Sequence, residues 1–397
     1  MWQGRTVVLG VAGGIAAYKS VELARELTRR GAAVDVILTR GAGEFVGAAT
    51  FEAVTHRRVH SSLWEPGTAL DHLALSRGAD LVLVAPATAH LLARAAAGLA
   101  DDFLTALLLG NTSPVVAAPA MNDVMYAAAA TRVNIAALVS RGWSMVGPAT
   151  GELAEGPSDA PGRMAEPEEI LAHAARTLRR GGPLDGVRCV VTAGPTREAI
   201  DPVRVITNRS SGIMGYRIAE AAWERGCEVT LITGPSAQRA PVGVEVVPVV
   251  TTDEMLEAVR CRAGDADVLI MAAAPADYRP ARPATHKTPR GDGPLTLTLE
   301  PTPDILVETA PARRSGAVVV GFALETDDDP ARVLDKLRRK DLAIIVANNA
   351  LEPGAGFEVD TNAVTIYDRV GGVTPVSLRS KREVAEAILD AVERRRG

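Results

Sequence analysis

A short apolar run that ends near glycine and opens straight into a helix occurs twice in this chain. No other feature restricts the fold as much. Residues 6–10 read as a strand, Gly10-Val11-Ala12-Gly13-Gly14-Ile15 as a tight turn, and residues 15–30 as a helix that stops at Gly31. Residues 188–192 repeat the opening ahead of a second turn at Ala193-Gly194-Pro195. Further apolar runs at 34–38, 81–84 and 115–118, then at 229–232, 268–271, 318–321 and 344–346, read as strands. Helices are expected between them, among others at 215–225, 253–262 and 331–340. Strands apolar throughout suit parallel sheets covered on both faces. The expected fold class is α/β, with two doubly wound domains in tandem, flavodoxin-like or Rossmann-like. A helix over 168–180, announced by Pro167 and broken by Gly181-Gly182-Pro183, separates them, which puts the domains at 1–182 and 183–397. Residues 295–299 alternate leucine and threonine and are expected as an antiparallel strand.

Length and composition bound the function classes. The 397 residues suffice for two cores, and a net charge of −5 disfavours a generic basic face for nucleic acid. The most apolar stretch, 81–100, is interrupted by Pro86, Thr88, His90 and Arg94, so no membrane span is expected. A strand already at 6–10 argues against a signal peptide. Cys189, Cys227 and Cys261 have no CxxC spacing, which disfavours a disulfide framework or zinc site and suits a reducing cytoplasm. His56 and His60 lack a third ligand and are expected on a surface loop, so no metal ligand is assigned.

The first glycine turn brings backbone N–H groups toward the start of a helix, where a phosphate can sit. It is neither GxGxxG nor a Walker loop, because Tyr18 stands where glycine should precede Lys19-Ser20. The second strand is followed by Thr39-Arg40 rather than the acidic residue that holds an NAD ribose. Two more strand ends carry Pro86-Ala87-Thr88-Ala89 and Pro119-Ala120-Met121-Asn122 with Met125. With the His72 segment and Pro161-Gly162-Arg163-Met164, these motifs over residues 5–180 resemble the flavin-dependent cysteine decarboxylases. The resemblance implies FMN held by Gly13, Gly14, Ile15, Thr39 and Thr88, with His72 as base and Met121 and Asn122 on the substrate, Asn122 at its carboxylate.

In the second half, residues 192–198 follow a strand, and Asp201-Pro202-Val203-Arg204 and Asn208-Arg209-Ser210-Ser211-Gly212 lead into a helix. Small polar groups at a helix start suit an anion, although Asn208 or Ser211 could simply cap the helix. Ala272-Ala273-Ala274-Pro275-Ala276-Asp277 and Gly321-Phe322-Ala323-Leu324-Glu325-Thr326 follow two further strands. Lys336, Arg338, Arg339 and Lys340 gather at a helix C-terminus, where they either balance the helix dipole on a solvated face or meet a triphosphate. Residues 186–395 resemble phosphopantothenate–cysteine ligase, and both halves in this order resemble the bacterial bifunctional decarboxylase/ligase of coenzyme A synthesis.

That resemblance implies cytoplasmic homo-oligomers whose partners are 4′-phosphopantothenate, cysteine and CTP with Mg²⁺. It assigns Asn208 to the acyl-cytidylate and Lys287 to carboxylate activation. Arg204, Ala274, Asp277, Asp304, Phe322, Lys336 and Lys340 are assigned to substrate and CTP. CTP turns a poor electrophile into a mixed anhydride, and cysteine then displaces CMP. Flavin takes up electrons from the new thiol so that CO2 can leave without an unstabilised carbanion. The family's usual proton donor for the last step is a cysteine, where this chain has Glu155 in Gly151-Glu152-Leu153-Ala154-Glu155-Gly156. Glu155 is expected to replace it only if desolvation keeps its proton on. Two other readings stay open on sequence: an oxidative, enethiol-forming paralogue of specialised metabolism, and a ligase whose first half is a flavin-binding assembly or regulatory module.

Overall fold

The computed structural model describes residues 1–65, 70–290, 293–325, 329–349, 354–356 and 359–396. The chain forms two compact units, Met1–Arg179 and Arg180–Gly397.

The first unit runs β1 (Thr6–Val11), α1 (Ala17–Arg29), β2 (Ala33–Leu38), α2 (Arg40–Gly43), α3 (Ala48–Thr55), β3 (Val59–His60), α4 (Asp71–Gly78), β4 (Leu81–Ala87), α5 (Ala89–Ala97), α6 (Phe103–Gly110), β5 (Val115–Pro119), α7 (Asp123–Ala127), α8 (Ala129–Ser140), β6 (Ser144–Met145), β7 (Ala149–Leu153), β8 (Gly156–Arg163) and α9 (Pro167–Leu178). Its six-stranded sheet is parallel, in the order β3-β2-β1-β4-β5-β6. Alternation along β1 feeds two cores. Val7, Leu9 and Val11 pack on one face with Leu23 and Leu27 of α1, and Val8 packs on the other with Leu104 and Leu107 of α6. Each such fully buried side chain contributes about 1.5–3 kcal/mol. Strand order reverses between β1 and β4, and ligand crevices open beyond the carboxyl ends of strands at such a point.

The second unit runs β9 (Arg188–Ala193), β10 (Arg197–Ala199), β11 (Val205–Thr207), α10 (Ile213–Glu224), β12 (Glu228–Thr233), β13 (Glu245–Pro248), α11 (Thr252–Ala263), β14 (Val268–Met271), β15 (Tyr278–Pro280), β16 (Leu299–Pro301), α12 (Ile305–Glu308), β17 (Val318–Glu325), α13 (Pro330–Arg339), β18 (Ile344–Asn349), β19 (Thr361–Asp368), β20 (Val373–Ser380) and α14 (Lys381–Arg396). Its eight-stranded sheet reads β13-β12-β9-β14-β17-β18-β19-β20. The first six strands are parallel, and β19 and β20 extend the sheet antiparallel. The reversal falls between β9 and β14.

Both units have the expected doubly wound α/β architecture. The strand expected over 295–299 is displaced: residues 293–298 form no strand, and pairing begins at Leu299. Leu295, Leu297 and Leu299 are 61%, 39% and 43% exposed, so the alternation has no core to face. His60 is not on a surface loop. It lies on β3, its side chain 12% exposed, while exposed His56 ends α3 in the left-handed region at φ 57°. Thr326, the last residue of the 321–326 motif, lies outside the described residues. Among the described residues no helix is long and apolar enough to cross a membrane.

Candidate active sites

In the first unit, four strand ends converge. Residues 12–16 after β1, Thr39 to Gly41 after β2, Thr88 to Leu91 after β4 and Ala120 to Asn122 after β5 line one cleft of about 680 Å³. The β7–β8 hairpin completes it with Glu152, Ala154, Glu155, Gly162, Arg163 and Met164. Two glycines allow the convergence. A Cβ on Gly13 would sit 2.5 Å from the Gly41 carbonyl carbon, and one on Gly162 would sit 2.6 Å from the Met121 carbonyl oxygen. The first turn therefore meets the β2 loop backbone to backbone. No side chain caps α1 at Ala16, which leaves its N-terminus for another acceptor. Thr39 caps α2 by accepting from Ala42 N–H at 3.3 Å, and Thr88 caps α5 by accepting from Leu91 N–H at 3.3 Å.

Asn122 caps α7: its Oδ1 accepts the N–H groups of Val124 at 2.8 Å and Met125 at 3.3 Å. This fixes the amide so that Nδ2 points to Glu155, to which it donates. Glu155 occupies the two-residue turn of the hairpin and is exposed. The desolvation that an acid role requires is therefore not met by the chain itself. Lys19 is buried in the cleft wall and pairs with Glu166 at 2.9 Å, which Arg163 also holds at 2.6 Å.

His72 does not line this cleft. It sits on α4, half-buried, with Nδ1 enclosed and without a hydrogen-bond partner among the described residues. Its ring stands edge-on to Phe103, centroids 6.2 Å apart, and His60 packs on the same Phe103 at 5.1 Å. Burial holds the His60 pKa below the usual histidine value despite Asp71, 3.9 Å away.

In the second unit, Asp277, Asp304, Phe322, Lys336 and Lys340 line a cleft of about 340 Å³ together with Thr192, Pro275, Ala276 and Thr302. Lys336 on α13 and Lys340, the residue that ends that helix, are four apart and both face the cleft. Arg338 and Arg339 are exposed, and Arg339 pairs with Asp335 at 3.1 Å. The basic cluster thus divides by helical period into a cleft pair and a solvated pair. Lys340 is held by Asp304 at 2.7 Å. Asp304 also caps α12, accepting from Leu306 N–H at 3.1 Å.

Asn208 does not cap α10, whose N-cap is Gly212 in the left-handed region at φ 79° with no side-chain cap. Its Nδ2 instead donates to the carbonyls of Ala274 at 3.3 Å and Pro275 at 2.9 Å, which ties the 194–212 loop to the cleft edge. Ala274 is fixed by its N–H to Gly194 O at 2.9 Å. Arg204 and Lys287 are outside the cleft lining. Arg204 pairs with Asp201 at 2.8 Å, and Lys287 is exposed on the excursion between β15 and β16.

Several supporting residues had no assigned role on sequence. Buried Glu198 accepts from Thr252 N–H at 2.9 Å and from the Thr252 hydroxyl at 2.8 Å. Thr196 bonds Thr252 at 2.9 Å and accepts from Ala276 N–H at 2.9 Å, a chain that ends in the cleft wall. Arg94 and Asp102, paired at 2.7 Å, line the first cleft. Asp102 also caps α6, accepting from Thr105 N–H at 2.8 Å.

Comparison with known proteins matches the two parts of the chain to two different families. Residues 1–179 match the flavoprotein family, and residues 184–395 match the C-terminal domain of DNA/pantothenate metabolism flavoproteins. The chain is 43% identical over 394 residues to the coenzyme A biosynthesis bifunctional protein CoaBC of Vibrio vulnificus, covering 98% of each chain. It is 46% identical over 403 residues to the corresponding protein of Mycobacterium bovis, covering 98% of this chain and 96% of the relative. For the Bacillus subtilis protein the identity is 42% over 397 residues, covering 99% and 97%.

Proposed function

The chain belongs to the family of bifunctional coenzyme A biosynthesis proteins, and from that premise we propose a two-step enzyme in which each unit carries one reaction. Residues 183–397 join cysteine to 4′-phosphopantothenate at the expense of CTP, and residues 1–182 decarboxylate the product to 4′-phosphopantetheine. The observation that carries the reading is the pairing of two different clefts at the same point of two similar sheets. In one, the glycine-bearing turn after β1 meets the loop after β2 backbone to backbone; in the other, Lys336 and Lys340 face a smaller cleft. We place the enzyme in the cytoplasm.

In the ligase, Lys336 and Lys340 meet the triphosphate, whose negative charge displaces Asp304 from Lys340. Mg²⁺ entering with CTP would offset phosphate charge, and Asp277 and Asp304 in the lining would be the residues to hold it. Phe322 and the Ala274 segment shape the remaining wall around the nucleotide. Asn208, fixed on the Ala274 and Pro275 carbonyls, orients the acyl-cytidylate, and Lys287 offsets the charge that builds up as the carboxylate is activated.

In the decarboxylase, the cradle of Gly13, Gly14, Ile15, Thr39 and Thr88 fits FMN. The Gly13–Gly41 approach leaves the uncapped start of α1 for the phosphate. When bound, the flavin supplies the electron sink that lets CO2 leave. Asn122 and Met121 orient the substrate carboxylate, His72 takes the thiol proton, and Glu155 returns a proton once bound ligands cover it. Homo-oligomerisation belongs to this reading. His72 stands apart from its own chain's cleft with Nδ1 unpartnered among the described residues, and in this reading it serves the cleft of a neighbouring copy.

Mass spectrometry of products from the purified protein with phosphopantothenate, cysteine and CTP tests the whole. The expected product is saturated phosphopantetheine. An enethiol two hydrogens lighter would make the decarboxylase oxidative, and the absence of any cysteine adduct would remove the ligase.

A further inference from the structure

Asp201 is an acid without exposed side-chain surface, on the chain that connects the second glycine turn to Asn208. Its Oδ1 accepts the N–H groups of Val203 at 2.8 Å and Arg204 at 2.9 Å. Its Oδ2 accepts Arg204 Nη1 at 2.8 Å and the backbone N–H of Thr288 at 3.2 Å. Burial pushes this carboxyl up, but the three N–H groups and the guanidinium outweigh it and hold it below the usual carboxylate range. An anion so enclosed persists only because its lone pairs are filled. The same Arg204 Nη1 also donates to the Thr288 carbonyl at 3.0 Å. One ion pair therefore holds both the N–H and the C=O of Thr288. Ala284 N–H adds a second tie, to Ile200 O at 2.9 Å. These bonds secure two points, Ala284 and Thr288, of an excursion between β15 and β16 that is otherwise exposed among the described residues, and Thr288 is the residue next to Lys287.

We propose that Asp201 is a positioning residue of the ligase: with Arg204 it pins the Thr288 backbone and so sets the place from which Lys287 reaches the reacting carboxylate. The inference rests on the reading of Lys287 given above. A lysine on a free loop samples many positions, whereas one whose next peptide is clamped on both polar groups starts from a single place. Misplacing a reacting group by about 1 Å costs on the order of 10²-fold in rate. The distinctive consequence is coupling. If Asp201 acts through Lys287, removing it does harm only while Lys287 is present.

The test is a double-mutant cycle on the full chain, with CTP-dependent pyrophosphate release as the readout. Asp201→Asn keeps the shape and removes the charge. It is expected to lower ligase kcat about tenfold or more, with KM for CTP little changed, and to leave decarboxylation of ready-made phosphopantothenoylcysteine intact. In a Lys287→Gln background it is expected to add less than about a twofold loss, the limit for coupled sites sharing one route. Wild-type kcat in Asp201→Asn, or losses that multiply in the double variant, overturns the proposal while leaving Lys287 in its role. Wild-type activity in Lys287→Gln alone overturns the Lys287 reading and this inference with it. Should Asp201→Asn fail to fold, Asp201→Glu keeps the charge and moves the carboxylate by one methylene relative to the Thr288 N–H that it accepts. It must then show the same loss and the same lack of additivity with Lys287→Gln, and independence there counts against the proposal equally.

Discussion

The two units share the order of their first six strands and differ in what the loops at the strand ends contribute. In the first, backbone meets backbone at Gly13 and Gly41, and the one buried lysine, Lys19, is already matched by Glu166. In the second, α13 presents Lys336 and Lys340 to a smaller and more polar cleft. A common sheet thus fixes where a ligand sits, and loop chemistry decides which ligand. The units also differ in how they treat the residue assigned to the chemistry. His72 is built into a packed helix against Phe103, so it cannot swing into its own cleft. Lys287 rides an exposed excursion and needs only a well-placed base.

The largest expected effect separates the two sites outright. His72→Asn should lower CO2 release by about 10³-fold, in line with loss of a general base, and leave pyrophosphate release untouched. Joint loss in a correctly folded variant would break the comparison. Mixing His72→Asn chains with Asn122→Asp chains sharpens it. Recovery of decarboxylation in the mixture is expected if His72 serves a neighbour's cleft, and no recovery places both residues in one chain's site. Lys287→Gln should reverse the pattern, with ligation down by about 10²-fold and decarboxylation intact, measured as pyrophosphate release against CO2 release.

Gly13→Ala tests the backbone cradle. A Cβ there would lie 2.5 Å from Gly41 main chain, so the loops must part. Overpacking of this kind costs about 1–3 kcal/mol, and FMN affinity measured by fluorescence titration should fall about tenfold. The same exchange at Gly43, where a Cβ would meet nothing within 4 Å, should not matter.

The smallest effect concerns a feature of the second unit. Arg225, at the end of α10, holds Glu386, Asp390 at 2.6 Å and Glu393 at 2.9 Å of α14, and Arg382 of α14 pairs both with Glu224 of α10 and with Glu386. Burial pushes the Glu386 carboxyl up, but the two guanidinium groups outweigh it and hold it below its ordinary value. Because the folded pKa is the lower one, this stabilisation is complete above an unfolded value of about 4.3 and is lost as pH falls through the folded value. Glu386→Gln should lower Tm near neutral pH by about 2–4 °C and flatten the acid limb of the Tm profile, as read by calorimetry. An unchanged acid limb would mean that other carboxylates set it.

Much of the architecture was legible because its causes are local. An apolar run, a glycine and a helical period lie within a few residues of one another, and they marked β1 with α1 and β9 with α10 correctly to within a few positions. The α13 cluster was left open between a solvated face and a triphosphate, with Lys336 and Lys340 singled out by resemblance; the fold turns those two, four residues apart, toward one cleft. The expected strand over 295–299 failed where a local pattern had no core to face. The role of Asn208 was open between cap and ligand contact, because its partners, Ala274 and Pro275, are remote in the chain.

The sequence by itself determined the two doubly wound units, the glycine turns, the motif residues at the strand ends and the family to which they belong. Only the tertiary structure decided which of those residues share a cleft. It separated His72 from the cleft at Gly13 and Gly41, left Glu155 exposed beside Asn122, and joined Asp201 to the peptide that follows Lys287. The physical reason is range. Propensity, capping and periodicity act over one turn or one strand. Burial of a charge and the meeting of two loops depend on packing between segments that the chain order leaves far apart.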